Sequence, residues 1–201
     1  MELDLLQPDT TIEPQETPAA PAEEQVPWGR MFLDIFETVI LAVVLFLGIN
    51  AVSARVRVDG SSMIPTLQNG EFVLVNRMAY RLGQPERGDI IVFRSVNEND
   101  LDLIKRIIGL PGDRVQVQEG QVLVNGQALA EPYINAPPRY SGEWQVPEGF
   151  LFVLGDNRND SSDSHQWGLL PSGNVIGKAI LIYWPPPEWN LIQHFDLPAA
   201  F

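Results

Sequence analysis

Seventeen consecutive residues, Thr38 to Ala54, carry no charge, and the run centres on Val39-Ile40-Leu41-Ala42-Val43-Val44-Leu45-Phe46-Leu47. Extended back to Met31, it includes only Asp34 and Glu37. Twenty residues of helix, at about 1.5 Å each, cross about 30 Å of hydrocarbon, so the run reads as a membrane span. A buried core helix is the competing reading, but its apolar surface would form one stripe, whereas here it runs all round. A cleavable signal peptide is the other, with Val52-Ser53-Ala54 supplying small residues at a cleavage spacing. Signal peptides begin with a positive segment, and the residues before this run are acidic. The expectation is therefore an uncleaved anchor over residues 30–54. Arg30 on one side against Arg55 and Arg57 on the other gives the positive-inside rule little to discriminate with.

The anchor divides the chain. Residues 1–29 hold Glu2, Asp4, Asp9, Glu13, Glu16, Glu23 and Glu24 and five prolines, which reads as a disordered acidic tail. After the anchor the period shortens to that of strands. Phe72-Val73-Leu74-Val75, Ile90-Ile91-Val92-Phe93 and Leu151-Phe152-Val153-Leu154 are short β-prone runs. Val115-Gln116-Val117 and Val122-Leu123-Val124, with Glu119-Gly120 between them, read as a hairpin. Ala179 to Trp184 makes a last strand, stopped by Pro185-Pro186-Pro187. A mainly β domain over 55–184 is expected, with 185–201 as a C-terminal tail.

Composition removes several classes of function. A formal net charge of -13 is the wrong sign for a nucleic-acid footprint. There is no cysteine, which excludes disulfides and thiol catalysis and suits an oxidising compartment. With His165 and His194 as the only histidines, no metal site and no cofactor are expected.

The chemistry gathers at Gly60-Ser61-Ser62-Met63-Ile64-Pro65-Thr66-Leu67, where a serine follows a glycine-containing turn. A serine hydroxyl is a poor nucleophile until a base takes its proton. His194 lies beyond three prolines, and His165 follows a Ser/Asp-rich loop in which Asp163 and Asp156 offer carboxylate partners. The alternative base is lysine, of which the chain has Lys105 and Lys178. A lysine with the ordinary pKa of about 10.4 is protonated near neutral pH. Leu103, Ile104, Ile107 and Ile108 surround Lys105 in sequence, and apolar burial lowers that value. A snorkelling strand lysine is the bland reading of the same residue.

Three stretches in this order resemble the boxes of the type I signal peptidases, with a likeness to their cyanobacterial and plastid branch. Ser62-Met63-Ile64-Pro65-Thr66-Leu67 matches the Ser-Met-x-Pro-Thr-Leu motif. Lys105-Arg106-Ile107-Ile108-Gly109-Leu110-Pro111-Gly112-Asp113 matches the lysine motif, and Gly155 to Ser164 matches Gly-Asp-Asn-Arg-x-x-Ser-x-Asp-Ser. Arg87-Gly88-Asp89-Ile90-Ile91-Val92-Phe93 resembles a further box. The resemblance implies a signal-peptidase-like β-sheet catalytic domain behind one transmembrane helix, with Ser62, not Ser61, as nucleophile and Lys105 as general base. It further implies that Ser161 orients the lysine amine, that Asp163 braces the site, and that Gly155 and Asn157 support it. Val58, Gly60, Met63, Leu67, Leu103 and Ile104 match positions that line the substrate site.

The substrates so implied are preproteins bearing signal peptides, cut after a small-x-small (Ala-x-Ala) junction. Membrane lipid is the other partner, and the catalytic domain is expected on the extracytoplasmic side. There are departures. Gly60 stands where some members have a serine that helps bind the oxyanion, Leu103 where several have tyrosine, and His165 where arginine is usual. Two other readings stay open: another Ser–Lys hydrolase such as a self-cleaving repressor, and a non-enzymatic membrane-anchored β domain that binds a partner.

Overall fold

The computed structural model describes residues 28–96 and 101–195. The acidic tail expected over 1–29 falls outside them up to residue 27. Trp28 and Gly29 belong to helix α1, Trp28–Val52, which has no buried residue. Its 25 residues span roughly 37 Å at 1.5 Å each, enough to cross a bilayer core. The anchor expected over 30–54 thus starts and ends two residues earlier. Ser53 and Ala54 already belong to strand β1, Ser53–Arg57.

Residues from Val43 onward form the unit that holds every strand. After β1 come β2 (Phe72–Asn76), a helical turn α2 (Ala79–Leu82), β3 (Ile90–Arg94) and β4 (Asp102–Gly109). Next are β5 (Arg114–Gln118), β6 (Gln121–Val124), β7 (Gln127–Ala128), β8 (Gly142–Gln145) and β9 (Phe150–Leu154). The last elements are α3 (Ser164–Trp167), β10 (Leu170–Pro171), β11 (Val175–Trp184) and β12 (Asn190–Leu191). The first sheet has the order β1-β2-β11-β3-β4-β9-β10, with β12 also paired to β11. The second has the order β7-β6-β5-β8. Every ladder is antiparallel, and register shifts interrupt β11 against β2 and β3 and β4 against β9. Such bulges sharpen the local twist of a sheet.

The continuous apolar runs have a direct cause. Ile90 and Val92 join one core cluster with Val58, Met63, Leu67 and Val73, while Ile91 and Phe93 join another with Ile107, Leu151 and Val153. Successive strand residues face opposite sides, so β3 reads as unbroken hydrophobic sequence because both of its faces are covered. A third cluster packs the second sheet against Ile108, Phe152 and Leu154. The expected hairpin is β5–β6, and its turn carries positive φ at Glu119 (51°) and Gly120 (76°). An Asn125-Gly126 turn of the same sense leads from β6 to β7.

Of the tail expected over 185–201, residues 185–195 fold back onto the domain, and 196–201 lie outside the described residues. Pro186–Glu188 makes one 3-10 turn, β12 returns onto β11, and Ile192 is buried in the first core cluster. Phe195 lies 5.1 Å, ring to ring, from Tyr133, and its carbonyl occupies the space a Cβ at Gly88 would need. Three prolines end a strand because they cannot donate to its ladder, but they do not stop the chain from folding back.

Candidate active site

Gly60, at φ 96°, opens the serine turn in a backbone region that few side chains tolerate. Its N–H donates to Asn69 Oδ1 at 2.9 Å. Two i→i+3/i+4 bonds follow, Ile64 N to Ser61 O at 3.1 Å and Leu67 N to Met63 O at 2.9 Å. Met63 and Leu67 are pegged into the core with 1% and 0% of their surface exposed, which fixes the turn that presents Ser62.

The Gly155–Ser164 loop grips this turn from the other side. Asn157 N donates to Ser62 O at 3.0 Å, and Asn157 Nδ2 to Ser61 O at 3.2 Å. The Ser61 hydroxyl donates to Asp160 Oδ2 at 2.6 Å and that of Thr66 to Asp156 Oδ2 at 2.5 Å. Gly155 has no room for a side chain, because a Cβ there would collide with Ser62 O and Ser161 Oγ. The loop therefore fits against the serine only while residue 155 is glycine.

β4 delivers Lys105, 3% exposed, with Nζ 2.8 Å from Ser62 Oγ and 3.0 Å from the carbonyl of Ile104. Removal from water disfavours the ammonium and lowers the Lys105 pKa to about 8, against the opposing pull of Asp163 and Asp156. Neither carboxylate forms an ion pair with it among the described residues. The N–H of Ser62 has no acceptor there either. A hydroxyl, a base poised near neutral pH and an unused backbone donor are the parts acyl transfer requires.

Asp163 sits beneath this pair. Its Oδ2 accepts from Gly155 N at 2.9 Å, and its Oδ1 accepts from His165 N at 3.2 Å and lies 2.6 Å from His165 Nδ1. The His165 ring stacks on Tyr140 with centroids 3.9 Å apart. Of the two carboxylates open to His165, it is thus Asp163 that holds it; Asp156 is taken by Arg106. The contact expected from Ser161 to the lysine is not made, since the buried Ser161 Oγ has no hydrogen-bond partner.

The expected substrate-lining residues do not share one surface. Val58, Met63, Leu67 and Ile104 pack in the first core cluster, while Leu103 packs against the cluster on the other face. Gly60 is exposed and Leu103 half-buried. Sequence reasoning gave no role to Arg106, Thr66, Asp160 or Tyr140, all of which join this framework. Arg106 and Thr66 stood inside the quoted motifs, whereas Tyr140 lies in a loop with no pattern of its own.

The family model for signal peptidases, peptidase S26, matches residues 25–184. A signal peptidase I of Leptolyngbya laminosa is 45% identical over 184 residues, covering 86% of this chain and 89% of that protein. A probable signal peptidase I-2 of Synechocystis is 43% identical over 178 residues, 85% of this chain and 81% of the relative. A probable thylakoidal processing peptidase 2 of Arabidopsis thaliana is 41% identical over 147 residues, 69% of this chain and 40% of that protein. The chain belongs to the signal peptidase family, peptidase S26, in its cyanobacterial and plastid branch.

Proposed function

We propose that this chain cleaves signal peptides from preproteins with Ser62 as nucleophile and Lys105 as general base. The observation that carries the assignment is the 2.8 Å contact between Ser62 Oγ and a lysine whose burial lowers its pKa to about 8. The neutral amine takes the hydroxyl proton as Oγ attacks the scissile carbonyl, and the ammonium then returns a proton to the leaving amine. With Gly60 in place of a side-chain donor, the Ser62 N–H receives the developing oxyanion. Asp163 and Asn157 hold the loop and the serine turn in register, and Gly155 lets them meet. Gly60 and Leu103 keep surface for the substrate, while Val58, Met63, Leu67 and Ile104 shape the site from beneath and favour small residues before the cut.

The enzyme is anchored by α1, and we place residues 53–195 as one catalytic unit on the extracytoplasmic side, where precursors emerge. A peptide with an Ala-x-Ala junction should be cut by the wild type and not by Ser62→Ala or Lys105→Ala. Substantial cleavage by Lys105→Ala transfers the base role to another residue and ends the dyad assignment. Protease added to intact spheroplasts should digest residues 53–195, and full protection would reverse the sidedness.

A further inference from the structure

Away from the serine site, a cavity of about 790 Å3 opens beside α2, lined by Arg77, Tyr80, Arg81, Arg94, Glu148 and Ser172 among others. Three of the chain's 13 lysines and arginines converge there in a protein of net charge -13. Two of them are unspent. Among the described residues the Arg77 guanidinium has no hydrogen bond or ion pair, and Arg81 has only a 4.0 Å contact to Met78 Sδ. Arg94 lies 3.6 Å from Asp102, and among the described residues Glu148 is the lone carboxylate on the lining.

The position of the cavity is fixed by the backbone. Arg77 N donates at 2.9 Å to the carbonyl of Val52, the last residue of α1, and Asn76 pairs with Ser53. The Arg77 end of β2 therefore lies beside the last residue of α1, where the chain passes from the apolar helix into the strands. Leu82, at the end of α2, is 85% exposed, an apolar side chain directed at no protein partner. Guanidinium groups match the paired oxygens of a phosphate, and cationic side chains next to a span are drawn to anionic lipid.

We infer that this cavity binds the phosphodiester headgroup of an anionic membrane lipid, held by Arg77 and Arg81 with Leu82 against the acyl region. The anchor would then be joined to the bilayer a second time through the catalytic unit. The inference rests on the anchor and not on the Ser62–Lys105 assignment, and its readout does not involve peptide cleavage.

The test uses the full chain in vesicles of mixed phosphatidylglycerol and phosphatidylcholine, followed by mild detergent release and native mass spectrometry. Wild type should retain phosphatidylglycerol in preference to phosphatidylcholine, R77Q/R81Q should lose that preference, and E148Q should strengthen it. R77K/R81K keeps the charge but not the fork, and should retain several-fold less phosphatidylglycerol than wild type. Equal retention by R77K/R81K would show diffuse attraction and overturn a built site. So would loss of the preference in R55Q/R57Q with none in R77Q/R81Q, which moves the contact to β1. Stabilisation by glycerol phosphate without lipid retention would reassign the cavity to a soluble phosphate and defeat the lipid proposal.

Discussion

Lys105 and Arg106 are adjacent buried cations on β4, and the fold treats them in opposite ways. Their cross-strand partners, Ile91 and Ile90, belong to core clusters on different faces of the sheet. Arg106 is fully buried and fully answered: Nε and Nη2 reach the two oxygens of Asp156 at 2.8 and 2.7 Å, and Nη1 reaches Gly88 O at 2.7 Å. Tyr133 covers its plane at 4.0 Å. Lys105 touches only a hydroxyl and a carbonyl. A buried charge with a bidentate partner is structural, because its hydrogen-bonding groups are all answered where it stands. A buried lysine denied a counter-ion sheds its proton easily, at some cost to stability. The difference teaches that the position proposed to react is the one where pairing has been withheld.

The comparison breaks most visibly in activity. Ser62→Ala and Lys105→Ala should each lower kcat/KM by about a thousandfold or more, and the double variant should be no worse, since the two groups act as a unit. Additive losses in steady-state cleavage assays would separate them. Exchanging Asp156 for Asn leaves Arg106 as the unpaired cation and should destabilise the domain by about 3–5 kcal/mol, read from denaturant midpoints. A change below about 1 kcal/mol in that series means Arg106 is not held as described.

Lys105→Met should have the opposite sign. The folded pKa, about 8, lies below the ordinary value of 10.5, so folding is opposed wherever the unfolded lysine is charged. The penalty is absent above pH 10.5, grows as pH falls to about 8 and is constant below that, at about 3 kcal/mol. Lys105→Met should therefore melt higher than wild type at pH 6–7, with the gain shrinking from pH 8 to 10. Melting curves that stay parallel across that range would show that Lys105 carries no linked proton. The same deprotonation should give the wild-type rate a limb near pH 8 that rises with pH. The smallest effect concerns Ser61→Ala, which removes one exposed bond to Asp160 and should keep activity within a fewfold of wild type.

Much of this was legible because it is local. β2, β3, β9 and the β5–β6 hairpin announce themselves as short apolar runs with turn residues between them. The serine turn, the lysine strand and the Gly155–Ser164 loop are each contiguous. What escaped is long-range or polar. Gly142–Gln145, which alternates exposed and half-buried residues and is not among the expected strands, pairs with β5. Arg106 and Asp156 are 50 residues apart in different boxes, so nothing local tells that the arginine beside Lys105 belongs to another network. The return of 190–195 was hidden by the prolines before it, since the residues that bury it, Gly88 and Tyr133, are far away in the chain.

The place of β11 in the first sheet bears on when the enzyme comes into being. β1 and β2 lead to and from the serine turn, β4, paired to β3, carries the lysine, and among the described residues β11, between β2 and β3, is the strand joining these halves. It supplies no group to the Ser62–Lys105 contact and spans Val175–Trp184, C-terminal to both residues. Pairings across such separations form late, because closing long loops is entropically costly. During synthesis Ser62 and Lys105 are both in the chain before the strand that aligns the two halves of their sheet has been made. The alignment of Ser62 with Lys105 thus depends on a pairing that forms only after both residues are already in the chain.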